Sequence, residues 1–273
     1  MNKIVLLSDK EQLPKGAFDF ACMLNEQEPI LLSGVFIPEI DYWNALYNYS
    51  FGMGAPQPYY PGTDILIAEE AIAQFRRQCT LNGIDYRVHE KEGEGIHEAL
   101  QTETRFADLL IFSNEGLFND LEAVVSEEYT EEALHASECP IMIIPEHFSR
   151  PEKIVLTYDG TASSVYAIKQ FARLFPWMAT LETLLVYSHP DPQKGLPELP
   201  YLEELAARHF PNLTIMKLDI DPGEYFATWL ANVKGAMLVA GAKGRSGFST
   251  LFRKSFVSGI IREHMLPVFI AHK

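Results

Sequence analysis

Positive charge is scarce in this 273-residue sequence: 22 Lys and Arg stand against 37 Asp and Glu, a formal net charge of −15. So acidic a chain has no general affinity for nucleic acid or anionic membrane, because both are polyanions gripped by clustered cations. Any site for an anion must be local, made by backbone amides and a few grouped Lys and Arg. Cysteine is scarce too. Cys22, Cys79 and Cys139 are far apart and odd in number, with no C-x-x-C pair and no disulfide framework, which suits a reducing cytoplasm. No apolar run approaches the roughly 20 residues that span a bilayer, and the run in MNKIVLLSDK is too short for a signal peptide. The eight histidines include no H-E-x-x-H and no paired His/Cys spacing, so no metal site is indicated. His89 and His97 in HEKEGEGIHE read as surface residues beside acids. The expectation is a cytoplasmic protein that uses neither nucleic acid nor membrane.

What is present is a duplicated pattern. KIVLLSDK at 3–10 returns as KIVLTYDG at 153–160, DLLIFSNEG at 108–116 as AMLVAGAKG at 236–244, and CPIMIIP at 139–145 as LPVFIAH at 266–272. The offsets are 150, 128 and 127, in the same order along the chain, which marks an internal duplication. The fall in offset places about 22 extra residues in the first half, best matched by DYWNALYNYSFGMGAPQPYYPG at 41–62. This Tyr-, Gly- and Pro-rich segment reads as a surface excursion, either packed on its own protein or serving as a lid or partner loop.

Short apolar runs alternate with helical periods in both halves. In the first, runs at 3–8, 30–36, 84–88, 108–113 and 140–144 enclose amphipathic stretches near 14–25, 64–81, 94–105 and 121–136. In the second, runs fall at 153–158, 181–187, 213–219, 236–240 and 267–271. Strand–helix alternation predicts parallel sheets covered on both faces, and the unbroken apolar runs suit strands buried on both sides. The predicted class is α/β: two tandem, doubly wound, five-stranded parallel-sheet domains at 1–148 and 151–273, joined by the polar linker PEHFSRPEK.

In such sheets ligands bind beyond the carboxyl ends of the strands, where strand order reverses. After the first strand of the second half comes YDGTASS: either Asp159 reaches a ribose hydroxyl or base edge, or Asp159, Thr161 or Ser163 caps the next helix. After the fourth comes VAGAKGRSGFSTLFRKSF, in which Gly241, Gly244 and Gly247 recur every three residues. It is neither a P-loop nor a nucleophile elbow, since no Gly-Lys-Ser/Thr follows at the P-loop spacing and Ser246-Gly247-Phe248 breaks G-x-S-x-G. Its charge is distinctive. Lys243, Arg245, Arg253, Lys254 and Arg262 face no carboxylate between 241 and 262, whereas 113–138 holds eight carboxylates and no Lys or Arg. Glycines that admit a phosphate, beside helix-opening amides, form an anion site; a solvated basic face is the alternative. Glu127, Glu128, Glu131 and Glu132 read as a solvated acidic helix face.

KIVLTYDGTASS and VAGAKGRSGFSTLFRKSFVSGIIREHMLPVFIA resemble the universal stress proteins, here in tandem, across nearly the whole chain. The resemblance implies the Rossmann-like fold of the adenine nucleotide alpha hydrolases. Nucleotide-binding members carry G-x2-G-x9-G-[ST] after the fourth strand. Gly241 and Gly244 fit, Ser255 takes the hydroxyl position, and Lys254 stands where the pattern asks for glycine. Arg245, Ser246 and Gly247 fall inside the same loop. The resemblance puts Asp159 near the adenosine, and Tyr187 where a backbone contact to adenine comes from the second strand. Some members bind ATP or AMP and others bind none, so it implies a stress-response binding protein with ATP or AMP bound weakly or not at all, in the second half only, Lys254 either obstructing the phosphates or contacting them. In the first half Ser113 replaces the first glycine and Gly116 alone remains, with Glu127 and Glu128 near the phosphate end, so no nucleotide is expected there. The family also implies pairing of the two halves through their last strands, PIMIIP and PVFIAHK, as a pseudo-dimer, with a homodimer beyond it.

An ATP-hydrolysing or nucleotidyl-transferring enzyme on a related fold is the competing class. Its S-G-G-x-D-[ST] and H-x-G-H strings are absent, so a binding protein without turnover is expected.

Overall fold

The structure is a computed structural model that describes residues 2–8, 13–36, 61–90, 96–113, 133–242 and 266–272. The chain divides into two compact units, Met1–Cys139 and Pro140–Lys273.

In the first unit β1 (Asn2–Ser8), α1 (Lys15–Gln27), β2 (Ile30–Phe36), α2 (Pro61–Leu81), β3 (Asp85–Glu90), α3 (Ile96–Arg105) and β4 (Leu109–Phe112) follow in sequence. The strands are parallel in the order β3-β2-β1-β4. Helix α1 buries Ala17, Phe20, Ala21 and Leu24, the i, i+3, i+4 stripe of an amphipathic helix. It stops at Glu28, which precedes Pro29 and is extended at φ −152° and ψ 133°. The proline ring excludes the helical conformation from the residue before it. Residues 41–60 of the expected excursion lie outside the described residues, and Pro61 opens α2, where a missing N–H costs no hydrogen bond. Phe75 of α2 is fully buried over Gly34 of β2 and meets Phe18, Phe36 and Tyr86 edge-on.

In the second unit come β5 (Ile141–Ile143), β6 (Lys153–Tyr158), α4 (Ala162–Leu174), a 3-10 turn at Met178–Thr180, β7 (Glu182–Ser188), α5 (Leu199–His209), β8 (Leu213–Leu218), α6 (Pro222–Ala231), β9 (Ala236–Ala242) and β10 (Val268–His272). Strands β10, β9, β6, β7 and β8 lie side by side and parallel, the five-stranded doubly wound sheet expected from the sequence. The run at 140–144 appears as β5. It pairs antiparallel with β10, Phe269 opposite Met142, and so belongs to the second unit. Every residue of β9 is buried, as its continuous apolar run requires of a strand covered on both faces.

The thiols lie in or against these cores. Burial pushes Cys79 and Cys139 up to about 12; burial, helped by the Asp19 and Glu26 carboxylates, pushes Cys22 up to about 11. An unfolded thiol ionises near 9.0. Between that value and 11–12 the unfolded chain therefore gives up protons that the folded chain keeps, so these groups stabilise the fold fully below pH 9 and progressively less above it. The urea midpoint is expected to fall as pH rises through this window, and to fall less steeply in Cys139→Ala. Equal slopes for the two proteins would refute the assignment.

Candidate functional site

Strand order reverses between β6 and β9, which are adjacent and parallel, with Leu156 beside Val239. The crevice beyond their carboxyl ends is the expected ligand position. Two of the predicted residues lie at the ends of these strands. Asp159 follows β6 directly, and its Oδ1 accepts hydrogen bonds from the Thr161 backbone N–H at 2.9 Å and the Thr161 hydroxyl at 2.6 Å. Thr161 in turn caps α4, accepting from the Ser164 N–H at 3.3 Å. The cap is thus threonine, with Asp159 bracing it. The second carboxylate oxygen of Asp159, Oδ2, is buried without a hydrogen-bond partner. Such an atom pays a desolvation cost that a donor would relieve.

Gly241, near the end of β9, packs against the first turn of α4. A methyl group there would fall onto the Ser163 carbonyl and the Ser164 nitrogen. The glycine is required by the close approach of strand and helix, whatever else it does.

The ends of β6, β7 and β8 form one row across the sheet: Tyr158, Tyr187 and Lys217. All three engage the Pro-rich connection at 189–198, SHPDPQKGLPELP in its context. The Tyr158 hydroxyl donates to the Pro197 carbonyl at 3.0 Å. The Tyr187 ring lies parallel to His189, with centroids 6.2 Å apart. The Lys217 ammonium donates to the carbonyls of Asp191 and Pro192 at 3.0 and 2.7 Å and pairs with Asp219 at 2.6 Å. Pro197 lies against Gly160, whose φ of +80° and lack of a side chain admit the contact. Burial, then the Glu198, Asp159 and Tyr187 charges, raise the Tyr158 phenol; burial, with Asp159 adding to it and Lys217 opposing, raises that of Tyr187.

Tyr187 is 3% exposed, so its side chain belongs to the sheet core and the row rather than to an open surface. Gly244, Arg245, Ser246, Gly247, Lys254 and Ser255 lie outside the described residues. In the first unit Ser113 is buried just past β4, while Gly116, Glu127 and Glu128 lie outside the described residues. Glu138 lies within them, and Arg105 holds it with two hydrogen bonds of 2.8 Å.

Sequence reasoning missed two features. One is the row just described, whose signal was a Tyr, a Tyr and a Lys at three strand ends followed by a proline-rich connection. The other is Glu103 of α3, 6% exposed, which contacts His89 Nδ1 at 2.9 Å and Lys3 Nζ at 3.9 Å. His89, its side chain 36% exposed, is thus a surface residue beside an acid, as expected, and the buried member of the cluster is Glu103. Among the described residues no group of three or more His, Cys, Asp and Glu is placed to hold a metal ion, and no helix is long and apolar enough to cross a membrane. A cleft of about 330 Å³, lined by Pro145, His147, Lys234 and Pro267 among others, lies where β9 and β10 begin, away from Asp159.

No protein-family model matches the chain, and no curated protein does. Solved structures do. A universal stress protein from Archaeoglobus fulgidus DSM 4304 superposes with a TM-score of 0.68 at 14% identity, covering 100% of this chain and 96% of that one. A putative universal stress protein from Pseudomonas aeruginosa UCBPP-PA14 gives 0.56 at 11%, with 100% and 93% covered. A functionally unknown protein from Pseudomonas aeruginosa PAO1 gives 0.56 at 11%, with 100% and 92% covered.

Proposed function

From a chain with the fold of the universal stress proteins, we infer a cytoplasmic stress-response binding protein that holds ATP or AMP weakly in its second half and does not turn it over. The observation that carries this reading is the buried, unpartnered Oδ2 of Asp159, at the point where strand order reverses. A ribose hydroxyl supplies the missing donor. Asp159 would hold the sugar, while the basic loop after β9, with Gly244, Arg245, Ser246, Gly247 and Ser255, would hold the phosphates through backbone amides and positive charge. A bound nucleotide brings the charge that this loop answers; the chain's own part is to position it. Dimerisation and protein partners would carry the response onward.

Calorimetry with ATP and with AMP tests the reading. Binding is expected for the native protein, with affinity about tenfold lower in Asp159→Asn, the order of one charge-assisted hydrogen bond. Lys254→Gly separates the two roles of that lysine: tighter binding means that it obstructs, weaker binding that it contacts the phosphates. Absence of binding to the native protein by either nucleotide retires the proposal. Robust ATP hydrolysis that is lost in Asp159→Asn would replace it with the enzymatic one.

A further inference from the structure

Residues 189–198 run from the end of β7 across the ends of its neighbours, and their attachments form a pattern. At one end Lys217 of β8 binds two successive carbonyls, those of Asp191 and Pro192. At this same end His189, the first residue of the segment, lies against Tyr187 of β7 and donates its backbone N–H to the Leu218 carbonyl at 3.0 Å. At the other end the Tyr158 hydroxyl of β6 binds the Pro197 carbonyl, and the Pro197 ring covers Gly160, next to Asp159. One residue before Gly160, the Asp159 Oδ2 is buried with no hydrogen-bond partner. Lys217 grips its end with a charge and two acceptors, whereas Tyr158 grips the other with one neutral hydrogen bond, the weaker hold.

Among the described residues, the matching row of the first unit is Ser8, Phe36 and Glu90, in register across β1, β2 and β3. None of these three offers a phenol or an ammonium, so that row lacks the attachment points seen in the half that keeps the basic glycine loop.

We propose that 189–198 is a strap hinged at Lys217 and latched by Tyr158, and that release of the Tyr158–Pro197 latch opens the crevice at Asp159. As regulation of the nucleotide site this rests on the reading given above, but the strap itself is testable without nucleotide. Closed, it leaves a carboxylate oxygen unsatisfied. Open, it gives that oxygen to water or to a ligand hydroxyl. The cost of the closed state makes the latch a poised one.

Two chemical readouts on the full chain test this. Lys194 sits in the strap, so the rate of tryptic cleavage after it reports strap release. Carbodiimide-promoted amidation of Asp159 with an added amine, located by mass spectrometry, reports opening of the crevice. Tyr158→Phe is expected to raise both rates about fivefold, the fold-change of one lost hydrogen bond, with the unfolding midpoint showing that the variant folds. Lys217→Met should free the other end and speed cleavage after Lys194 as well. Unchanged cleavage in Tyr158→Phe overturns the latch. Faster cleavage with unchanged amidation overturns its control of the crevice. If both rates rise yet neither protein binds ATP or AMP in calorimetry, the strap stands and the nucleotide reading falls. If nucleotide binds, Tyr158→Phe should bind it about fivefold more tightly.

Discussion

Alanine in place of Gly241 is expected to destabilise the second unit by about 3 kcal/mol, the upper end of the usual cost of overpacking. The added methyl meets backbone atoms of Ser163 and Ser164, which have no alternative rotamer to adopt. To make room, β9 or the first turn of α4 must shift, and α4 is fixed by Ala167, Ile168 and Phe171, all fully buried. Phe171 also meets Phe269 of β10 at 5.5 Å, so moving the helix would disturb the neighbouring strand too. Urea unfolding followed by tryptophan fluorescence reads this unit, since Trp177 and Trp229 lie in it. A loss below about 0.5 kcal/mol, the range of an ordinary surface change, would contradict the close approach. The expected damage bears on any test of nucleotide binding. Loss of affinity in Gly241→Ala would report a displaced helix as much as a lost phosphate contact, so Asp159 and Lys254 are the better probes.

Phe75→Ala is expected to cost about 3–5 kcal/mol, the range for emptying a fully buried aromatic position. The ring occupies the middle of a cluster, edge-on to Phe36 and Tyr86 at 5.8 Å and to Phe18 at 6.5 Å, so three rings lose a partner at once. Beneath it, Gly34 leaves space that a methyl group would fill to within 2.9 Å of the ring tip. The two positions should therefore couple. Gly34→Ala is destabilising in the native background and becomes milder, or helpful, when position 75 is alanine. Hydrogen exchange of the β1–β3 amides measures both single variants and the double. Additive effects, within about 0.5 kcal/mol, would show that ring and glycine do not share the space.

Both positions show where sequence reading stops. The strands at 30–36 and 153–158 were legible to the residue, because apolar runs bounded by turn residues carry their own limits. The ends of α1 and α4 were also local matters, each stopping at a residue before proline, Glu28 and Phe175. The site was legible only as a place. Strand alternation pointed to the loops after the first and fourth strands of the second half, and Asp159 and Gly241 lie at the ends of those two adjacent strands. Their particular contacts were not legible. Asp159 reaching back to Thr161 is a turn-scale event, but the packing of Pro197 on the neighbouring Gly160 joins residues thirty-seven apart in the chain.

The sequence by itself determined the parts whose physics is local or periodic: the duplication, the strand–helix alternation, the helix stops, and the contrast between a basic loop in one half and an acidic stretch in the other. Tertiary structure alone decided which side chains those parts bring together. It added a packing requirement at Gly241, set Tyr158, Tyr187 and Lys217 in one row, and fixed the antiparallel register of β5 on β10. The reason is that burial, register and close approach are relations between residues far apart in the chain. Periodicity names the buried face of a strand, but only the neighbour that covers it settles what each residue there must do.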